Sequence, residues 1–248
     1  NGNISLASNS AINIASGDFI ALMDQDDIIP AHALALVAKA IDNNPNVKLI
    51  YSDEDKIDEN NVRSNSYFKT DWNLDLFRSQ NMFSHLGVLN RDLVNKVGCF
   101  RQGFEGSQDY DLVLRCIERI DESQIYHIPH VLYHRRSHSG STSVEMSVKP
   151  NASVAGVLAL NQHLERLNIN ASASYVGHGF RIVYSLPKDE PLVSIIIPTK
   201  NAYKLVRKCI NSILEKTTYK NYEIIVIDNA SEDTKTLNYF EKLKENPI

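Results

Sequence analysis

Two largely apolar runs near the end of the chain, residues 192–197 and 222–227, constrain its fold more than any other feature. Each run is rich in isoleucine and is followed by a segment with helical spacing, over residues 203–216 and 231–244. Uninterrupted apolar strands that alternate with helices are typical of a parallel sheet that helices cover on both faces. The sequence therefore predicts an α/β fold.

The earlier part of the chain also alternates between helical and strand-like segments. Apolar residues at helical spacing predict helices over residues 4–16, 30–41, 93–97, 109–120 and 152–168. Apolar runs of β-prone residues predict strands over residues 19–23, 47–51, 85–90, 125–135 and 180–186, the fourth of them broken by Pro129. Residues 56–84 are polar with aromatic residues at intervals, and we expect an irregular loop there that shapes a substrate site.

The composition excludes several classes of protein. With 43% apolar and 23% charged residues the chain resembles an ordinary soluble globular protein, and its net charge of -4 argues against a nucleic-acid partner. The three cysteines lie far apart without metal-ligand spacing, so we expect buried thiols in a reducing compartment. No apolar run approaches the roughly 20 residues that cross a bilayer. Because the chain begins at Asn1 without an initiator methionine, we interpret it as a piece of a longer cytoplasmic protein.

Four polar residues, Asp24-Gln25-Asp26-Asp27, directly follow the predicted strand over residues 19–23. The carboxyl ends of strands are where α/β proteins bind ligands. Two carboxylates at such an edge can hold Mg²⁺ or Mn²⁺, which in turn binds a diphosphate. The alternative is a surface turn or a helix N-cap, but the position directly after an apolar strand favours the cation site.

Two further polar clusters could carry chemistry. In residues 105–111, Asp109 and Asp111 stand at a predicted helix start, where the helix dipole favours an ionised carboxylate that could act as a general base. Plain N-capping by Asp109 is the alternative. In residues 134–141, an imidazole could complete a metal site and an arginine could neutralise phosphate, although a polar loop with incidental basic residues is the simpler interpretation.

The stretches ASGDFIALMDQDD, GFEGSQDYDLVLR and LYHRRSHSGSTS, in this order, resemble the inverting family 2 glycosyltransferases of the GT-A fold. The stretches PLVSIIIPTKN and YEIIVIDNASED resemble the nucleotide-binding half with which that family begins. The likeness is strongest to the tandem enzymes that build bacterial O-antigen and other surface polysaccharides. It implies a Rossmann-like mixed sheet flanked by helices.

The order of these stretches implies a domain organisation. In the family the nucleotide-binding half comes first, whereas here it follows the other motifs. Residues 1–150 would then be the latter part of one GT-A domain, residues 151–190 a helix-strand connector, and residues 191–248 the first part of a second domain. The tail could complete the sheet of the head, either within the chain or by exchange in a swapped homodimer, because an open half-sheet exposes apolar edges.

The resemblance also implies roles for single residues. Asp26 matches the metal-binding aspartate of the family's Asp-x-Asp motif, and Asp24 matches the residue that approaches ribose or metal. Asp109 matches the base, with Gln108 where the family has a glutamate. His138 matches a histidine that approaches the metal, and Arg136 matches a phosphate partner.

In the tail, Thr199, Asp228 and Asn229 match segments that contact the nucleoside. The family commonly has a second aspartate where Asn229 stands, and an arginine where Ser8 stands.

The implied reaction is a hexosyltransferase-type transfer from a UDP- or dTDP-sugar, with Mn²⁺ or Mg²⁺, to a saccharide or lipid-linked saccharide acceptor. Asp109 would deprotonate the acceptor for a single displacement that inverts the anomeric centre. The expected location is the cytoplasm or the inner face of the membrane. Two alternatives stay open: a glycoside hydrolase, which also uses two carboxylates, and a non-catalytic fragment that serves folding or association between domains.

Overall fold

A computed structural model describes residues 3–137 and 150–245. The chain divides into two compact units, Asn1–Ser185 and Leu186–Ile248. The first unit carries the acidic tetrad and Asp109, and the second carries the two isoleucine-rich runs.

The first unit is built on a mixed five-stranded sheet with β2 at its centre. One edge of β2 pairs antiparallel first with β4 and then with β3, while β5 runs parallel to β2 from Leu49 to Ile57. Strand β1 pairs antiparallel with β4. The strands are β1 Phe19–Leu22, β2 Leu49–Ile57, β3 Arg63–Tyr67, β4 Gly87–Asn90 and β5 Ile125–Arg136.

Six helices and a separate two-stranded hairpin complete the described part of this unit. The helices are α1 Ile4–Ile14, α2 Ala33–Asn43, α3 Leu74–Ser79, α4 Arg91–Lys96, α5 Gln108–Ile117 and α6 Pro150–Arg166, with a 3₁₀ turn at Glu122–Gln124. The hairpin consists of β6 Ala171–Tyr175 and β7 Phe180–Tyr184, which pair antiparallel.

The central sheet separates two apolar cores. Successive side chains of a strand point to opposite faces, so Leu49 and Tyr51 of β2 enter one core while Ile50 enters the other. Helices α3, α4 and α5 contribute to the first core, and α2 packs into the second through Ala33 and Val37. This arrangement confirms the predicted α/β class with a mixed sheet flanked by helices.

The helix α6 and the β6–β7 hairpin pack against the first core. Ala159 and Leu160 of α6 are fully buried in that core, and Phe180 and Ile182 of the hairpin pack against it. Residues 150–184 therefore contribute side chains to the core of the first unit.

The second unit contains β8 Val193–Thr199, α7 Tyr203–Lys216, β9 Tyr222–Asp228 and α8 Thr234–Glu245. Strands β8 and β9 pair parallel over their full length, from Val193 and Tyr222 to Thr199 and Asp228. The parallel pairing predicted from the two apolar runs is confirmed. Within the part of the chain that the structure describes, these strands pair with each other, and the completion of the first unit's sheet by the tail stays a prediction.

The prediction of an irregular loop over residues 56–84 was wrong. Strand β2 extends to Ile57, a turn follows, β3 returns along β2, and α3 begins at Leu74 with the Asn73 side chain as its N-cap. Strand β2 thus continues past its predicted end at Tyr51 and includes the acidic residues 53–55. Those residues stay within β2 because basic side chains pair with them.

Two smaller predictions also need correction. Pro129 does not end β5, because the pairing with β2 passes from Ser52–Ile128 to Asp53–Val131 and leaves a bulge that accommodates the proline. Pro30 does not begin α2, which starts at Ala33, although the Ala33 N–H does bond to the Pro30 carbonyl. The strand β6 was not predicted, because alternating alanine and serine give little apolar signal.

Candidate functional site

The Asp24–Asp27 turn at the end of β1 is held by its last residue. The Asp27 carboxylate is buried and accepts from the Tyr133 hydroxyl at 2.7 Å and from the Arg136 backbone N–H at 2.7 Å. The Asp24 backbone N–H donates to the same Tyr133 hydroxyl at 3.0 Å. Asp27 thus fixes the turn against β5, while the side chain of Asp24 remains 59% exposed and Asp26 lies at the surface.

The burial of Tyr133 and its bond to the Asp27 carboxylate raise the pKa of the tyrosine well above its usual range. The hydroxyl therefore keeps its proton and acts as a permanent donor to Asp27.

Arg136 fastens the turn to the end of β2. Its Nε donates to the Asp26 carbonyl at 2.9 Å, and its Nη1 donates to the Asp58 carbonyl at 3.3 Å. The structure thus places Arg136 beside the tetrad. Its role as a phosphate partner stays a prediction.

His85 faces the tetrad from the loop before β4. Its Nε2 lies 3.7 Å from an Asp24 carboxylate oxygen, and its ring stacks on Tyr133 with centroids 4.5 Å apart. Its backbone N–H donates to Glu54 at 3.2 Å, and its carbonyl accepts from the Lys69 ammonium at 2.6 Å. His85 could not be singled out from local sequence patterns, because every one of these contacts joins residues at least 16 positions apart.

The buried residues Asp53, Glu54 and Asp55 of β2 support this arrangement. Glu54 pairs with the Lys69 ammonium at 3.1 Å and lies 3.9 Å from Arg135 Nη1. Burial lowers the pKa of Lys69, and the adjacent Glu54 opposes that effect.

The two aspartates beside Glu54 are also paired. Asp53 contacts His127 Nε2 at 2.9 Å, and Asp55 contacts His134 Nδ1 and Arg63. We call Asp53, Glu54 and Asp55, together with the side chains that pair with them, the β2 frame.

Asp109 lies in the first turn of α5, where the Asn81 side-chain N–H donates to its Oδ2 at 2.9 Å. The N-cap of α5 is Ser107, so Asp109 does not fill the capping position that the alternative interpretation gave it. Asp111 is fully buried and pairs with Arg101 and Arg115. Of the two aspartates in the motif, Asp111 is therefore buried in ion pairs with arginines, and Asp109 lies at a cavity.

That cavity has a volume of about 320 Å³ and is lined by both polar and aromatic side chains. We call it the Asp109 cavity. It contains Asp109, Asn81, Gln80 and Arg135, together with the aromatic residues Tyr110, Tyr175 and Phe180. The sequence drew attention to the basic loop that contains Arg135 but did not single that residue out, because its neighbour Arg136 fits the motif better.

A continuous path of contacts joins the tetrad to the Asp109 cavity. Asp24 lies beside His85, the His85 N–H binds Glu54, and Glu54 lies beside Arg135, which lines the cavity. The predicted cation site and the predicted base therefore belong to one region of the first unit. His138 lies outside the described residues.

In the second unit, the three predicted nucleoside contacts lie together at the carboxyl ends of the strands. Thr199 pairs with Asp228, and the Asn229 N–H donates to the Thr199 carbonyl at 2.8 Å. The Asp228 carboxylate accepts from the Ser231 N–H at 3.1 Å. This edge of a parallel sheet is where α/β proteins bind ligands, although contact with a nucleoside stays a prediction.

Comparison with known proteins identifies the lineage. The sequence profile of Glycosyl transferase family 2 matches residues 1–98 and 194–247. The chain belongs to glycosyl transferase family 2. The match covers the tetrad and most of β8 and all of β9, while Asp109 and Arg135 lie between its two segments.

Three relatives illustrate the similarity of this family 2 chain. It is 47% identical to the uncharacterized protein y4gI of Sinorhizobium fredii over 98% of the chain and 27% of that protein. It is 36% identical to the O-antigen biosynthesis protein RfbC of Myxococcus xanthus over 97% of the chain and 19% of that protein. The identity to chondroitin synthase of Escherichia coli is 25%, over 58% of the chain and 21% of that protein.

The chain thus spans about a quarter or less of the length of these relatives. Among the described helices, none is both long and apolar enough to cross a membrane.

Proposed function

We propose that this chain forms the cation, base and acceptor region of a glycosyltransferase that acts in bacterial surface-polysaccharide synthesis. The donor would be a nucleoside-diphosphate sugar, UDP- or dTDP-linked, and the acceptor a saccharide or lipid-linked saccharide. The observation that supports this most is the path of contacts between the exposed Asp24 carboxylate and the Asp109 cavity. Donor and acceptor chemistry would meet along that path.

Asp109 is the proposed general base. Asn81 holds one of its carboxylate oxygens, which orients the group toward an acceptor hydroxyl in the cavity. The hydroxyl proton passes to Asp109 as the acceptor oxygen attacks the anomeric carbon, and the bond to the diphosphate breaks with its electron pair on the leaving oxygen. A single displacement inverts the anomeric centre.

Asp24 and Asp26 suit a divalent cation. Residues 3–137 and 150–245 contain no group of three or more metal-ligating side chains. Mg²⁺ and related cations often use only one or two protein carboxylates and complete their shell with water and substrate phosphates. The two exposed carboxylates fit this mode, and a cation bound there would neutralise charge on the departing diphosphate.

Arg136 and His138 are the proposed additional partners. Arg136 already lies against the Asp26 carbonyl, from which its guanidinium could reach a phosphate oxygen. The assignment of His138 to the metal rests on the family resemblance.

The domain organisation is part of the proposal. Residues 1–150 would be the latter part of one GT-A domain, residues 151–190 a connector, and residues 191–248 the first part of another. Thr199, Asp228 and Asn229 would contact a nucleoside, with the tail completing a sheet in cis or in a swapped homodimer. Light scattering separates the last two options, since completion in cis predicts a monomer and exchange predicts a dimer.

A non-catalytic role in folding or association is the second candidate. It is favoured by the span of the chain, which covers only 27% and 19% of its first two relatives. Absence of nucleotide binding by the full-length protein would favour this alternative.

The proposed reaction is tested by donor turnover in the full-length protein. We expect UDP or dTDP release from a panel of donor sugars, with methyl glycosides as acceptors, to fall about 10²–10⁴-fold in Asp109→Asn. Asp42→Asn, on the exposed face of α2, is the matched control and should keep the wild-type rate. Equal turnover by Asp109→Asn and the wild type would refute the assignment of the base.

A further inference from the structure

The β6–β7 hairpin supplies the aromatic wall of the Asp109 cavity. Tyr175 ends β6 and Phe180 begins β7, and the two residues pair directly across the hairpin. Both line the cavity, and both are half-buried. None of the motifs that identify the family lies in this segment.

The wall is held in place by close contacts on three sides. The Phe180 ring stacks on Tyr110 with centroids 5.7 Å apart. A Cβ on Gly156 of α6 would lie 2.4 Å from that ring, and a Cβ on Gly179 would lie 2.7 Å from the Ser79 carbonyl. Because backbone and ring already touch at these points, the hairpin has little room to shift.

Tyr175 is positioned by its own hydrogen bond. Its hydroxyl donates to the Gly177 carbonyl at 2.6 Å, and its ring meets the edge of Phe180 with centroids 5.9 Å apart. The hydroxyl is thus engaged within the hairpin turn. The part of Tyr175 that remains for a ligand is its ring.

The cavity lining also contains polar side chains. Asn81 donates a hydrogen bond to Asp109, and Gln80 and Arg135 line the same cavity. A pyranose ring has an apolar C–H face and a rim of hydroxyls, so it matches a cavity that combines aromatic rings with carboxylate, amide and guanidinium groups. The volume of about 320 Å³ lies at the small end of the range for ligand pockets and suits one sugar unit.

We propose that the hairpin forms an acceptor subsite in which the Tyr175 ring packs on the sugar unit whose hydroxyl Asp109 deprotonates. This inference rests on the proposed function, since it takes Asp109 as the base. It assigns acceptor selection to residues 171–184, which lie outside the segments that the family profile matches.

The test measures binding of methyl glycosides of glucose, galactose, N-acetylglucosamine and N-acetylgalactosamine by saturation-transfer NMR on the full-length protein. At least one should bind, with its ring C–H protons receiving the strongest saturation from protein aromatic protons. Tyr175→Ala should weaken that binding about tenfold, while Tyr175→Phe should stay within about twofold. Ser174→Ala, exposed on the same strand, is the control and should match the wild type.

Two results would overturn the subsite: binding of none of the four glycosides, or wild-type affinity in Tyr175→Ala. The saturation pattern on the wild type decides the matter even if Tyr175→Ala fails to fold. A parallel titration of UDP with Mn²⁺ separates this inference from the proposed function. If the wild type binds UDP but none of the glycosides, the subsite is refuted and the donor assignment stands. If the wild type does not bind UDP, the donor assignment is refuted.

Discussion

At the scale of single residues, Asp109 and Asp111 show how two carboxylates in one motif divide their roles. Asp111 is fully buried between Arg101 and Arg115, while Asp109 stands at a cavity with Asn81. They lie two positions apart on a helix and therefore point to different faces. The sequence pattern alone predicted both as candidates, and only the surroundings separate them.

Asp111→Asn should therefore damage stability. The change leaves two arginines beside a neutral group, and removal of one partner from a buried ion pair costs about 3–5 kcal/mol. We expect the free energy of unfolding in urea to fall by about 3 kcal/mol. Asp109→Asn is the matched variant and should unfold within about 1 kcal/mol of the wild type, since that carboxylate has a single amide donor. Equal destabilisation by both variants would contradict this division.

Glu118 gives a prediction of pH dependence. Burial raises the pKa of this carboxyl, but hydrogen bonds from His163 and Arg166 outweigh it and lower the pKa below the model-peptide value of 4.5. A carboxyl with a lower pKa in the folded state stabilises the protein above its unfolded-state pKa. That contribution is lost as the pH falls below 4.5 and through the folded-state pKa.

The stability difference between wild type and Glu118→Gln should consequently depend on pH. We expect the wild type to be more stable at pH 7 and the difference to shrink between about pH 4.5 and pH 3. Urea unfolding at a series of pH values measures it. A difference that stays constant over that range would show that the charge of Glu118 is not the cause.

At the scale of structural elements, the strand predicted over residues 47–51 is longer in the structure, where β2 runs from Leu49 to Ile57. Its acidic residues Asp53, Glu54 and Asp55 are buried within the strand because Lys69, His127 and His134 pair with them. Each pairing joins residues at least 15 positions apart, and such contacts cannot be predicted from the pattern of neighbouring residues. The apolar runs of β8 and β9, by contrast, contain their own signal, and their parallel pairing was predicted correctly.

Lys69→Met tests whether the ion pairs of the β2 frame stabilise the protein. The ammonium is fully buried and bonds to Glu54 and to the Phe83 and His85 carbonyls. Its loss leaves a buried carboxylate without its closest cation, for which about 3–5 kcal/mol of destabilisation is typical. Adding Glu54→Gln should restore part of this loss, as urea unfolding would show. A double variant less stable than Lys69→Met would contradict the pairing.

Gly156→Ala tests how closely the β6–β7 hairpin packs against α6. Alanine favours a helix over glycine by about 1 kcal/mol, whereas overpacking a filled core costs about 1–3 kcal/mol. Because the new Cβ would lie 2.4 Å from the Phe180 ring, which is itself stacked on Tyr110, the cost of overpacking should win. Thermal unfolding should show a lower Tm, and methyl glycoside binding should weaken with it. A higher Tm would show that the hairpin shifts without penalty.

At the scale of the whole molecule, the motifs located the site but not its full set of residues. Asp24, Asp26 and Asp109 could be found because each follows a recognisable strand or begins a helix. His85, Asn81 and Arg135 could not, since their importance comes from their contacts with Asp24, Asp109 and Glu54, which lie far from them in the sequence. The hairpin carrying Tyr175 was missed because β6 has no apolar run and Tyr175 belongs to no motif.

The family assignment and the order of segments meet at this scale. Family 2 segments match at both ends of the chain, over residues 1–98 and 194–247. The first unit therefore holds the proposed cation and base residues, and the second holds the proposed nucleoside contacts. Donor binding by the full-length protein is therefore the property to measure.

Calorimetric titration of UDP and dTDP with Mn²⁺ into the full-length protein tests the central claim most directly. We predict binding by the wild type and by the control Asp42→Ala, and at least tenfold weaker binding by Asp26→Ala, because that carboxylate would hold the cation that contacts the diphosphate. Equal affinity of Asp26→Ala and the wild type would contradict the assignment of the tetrad as the diphosphate anchor.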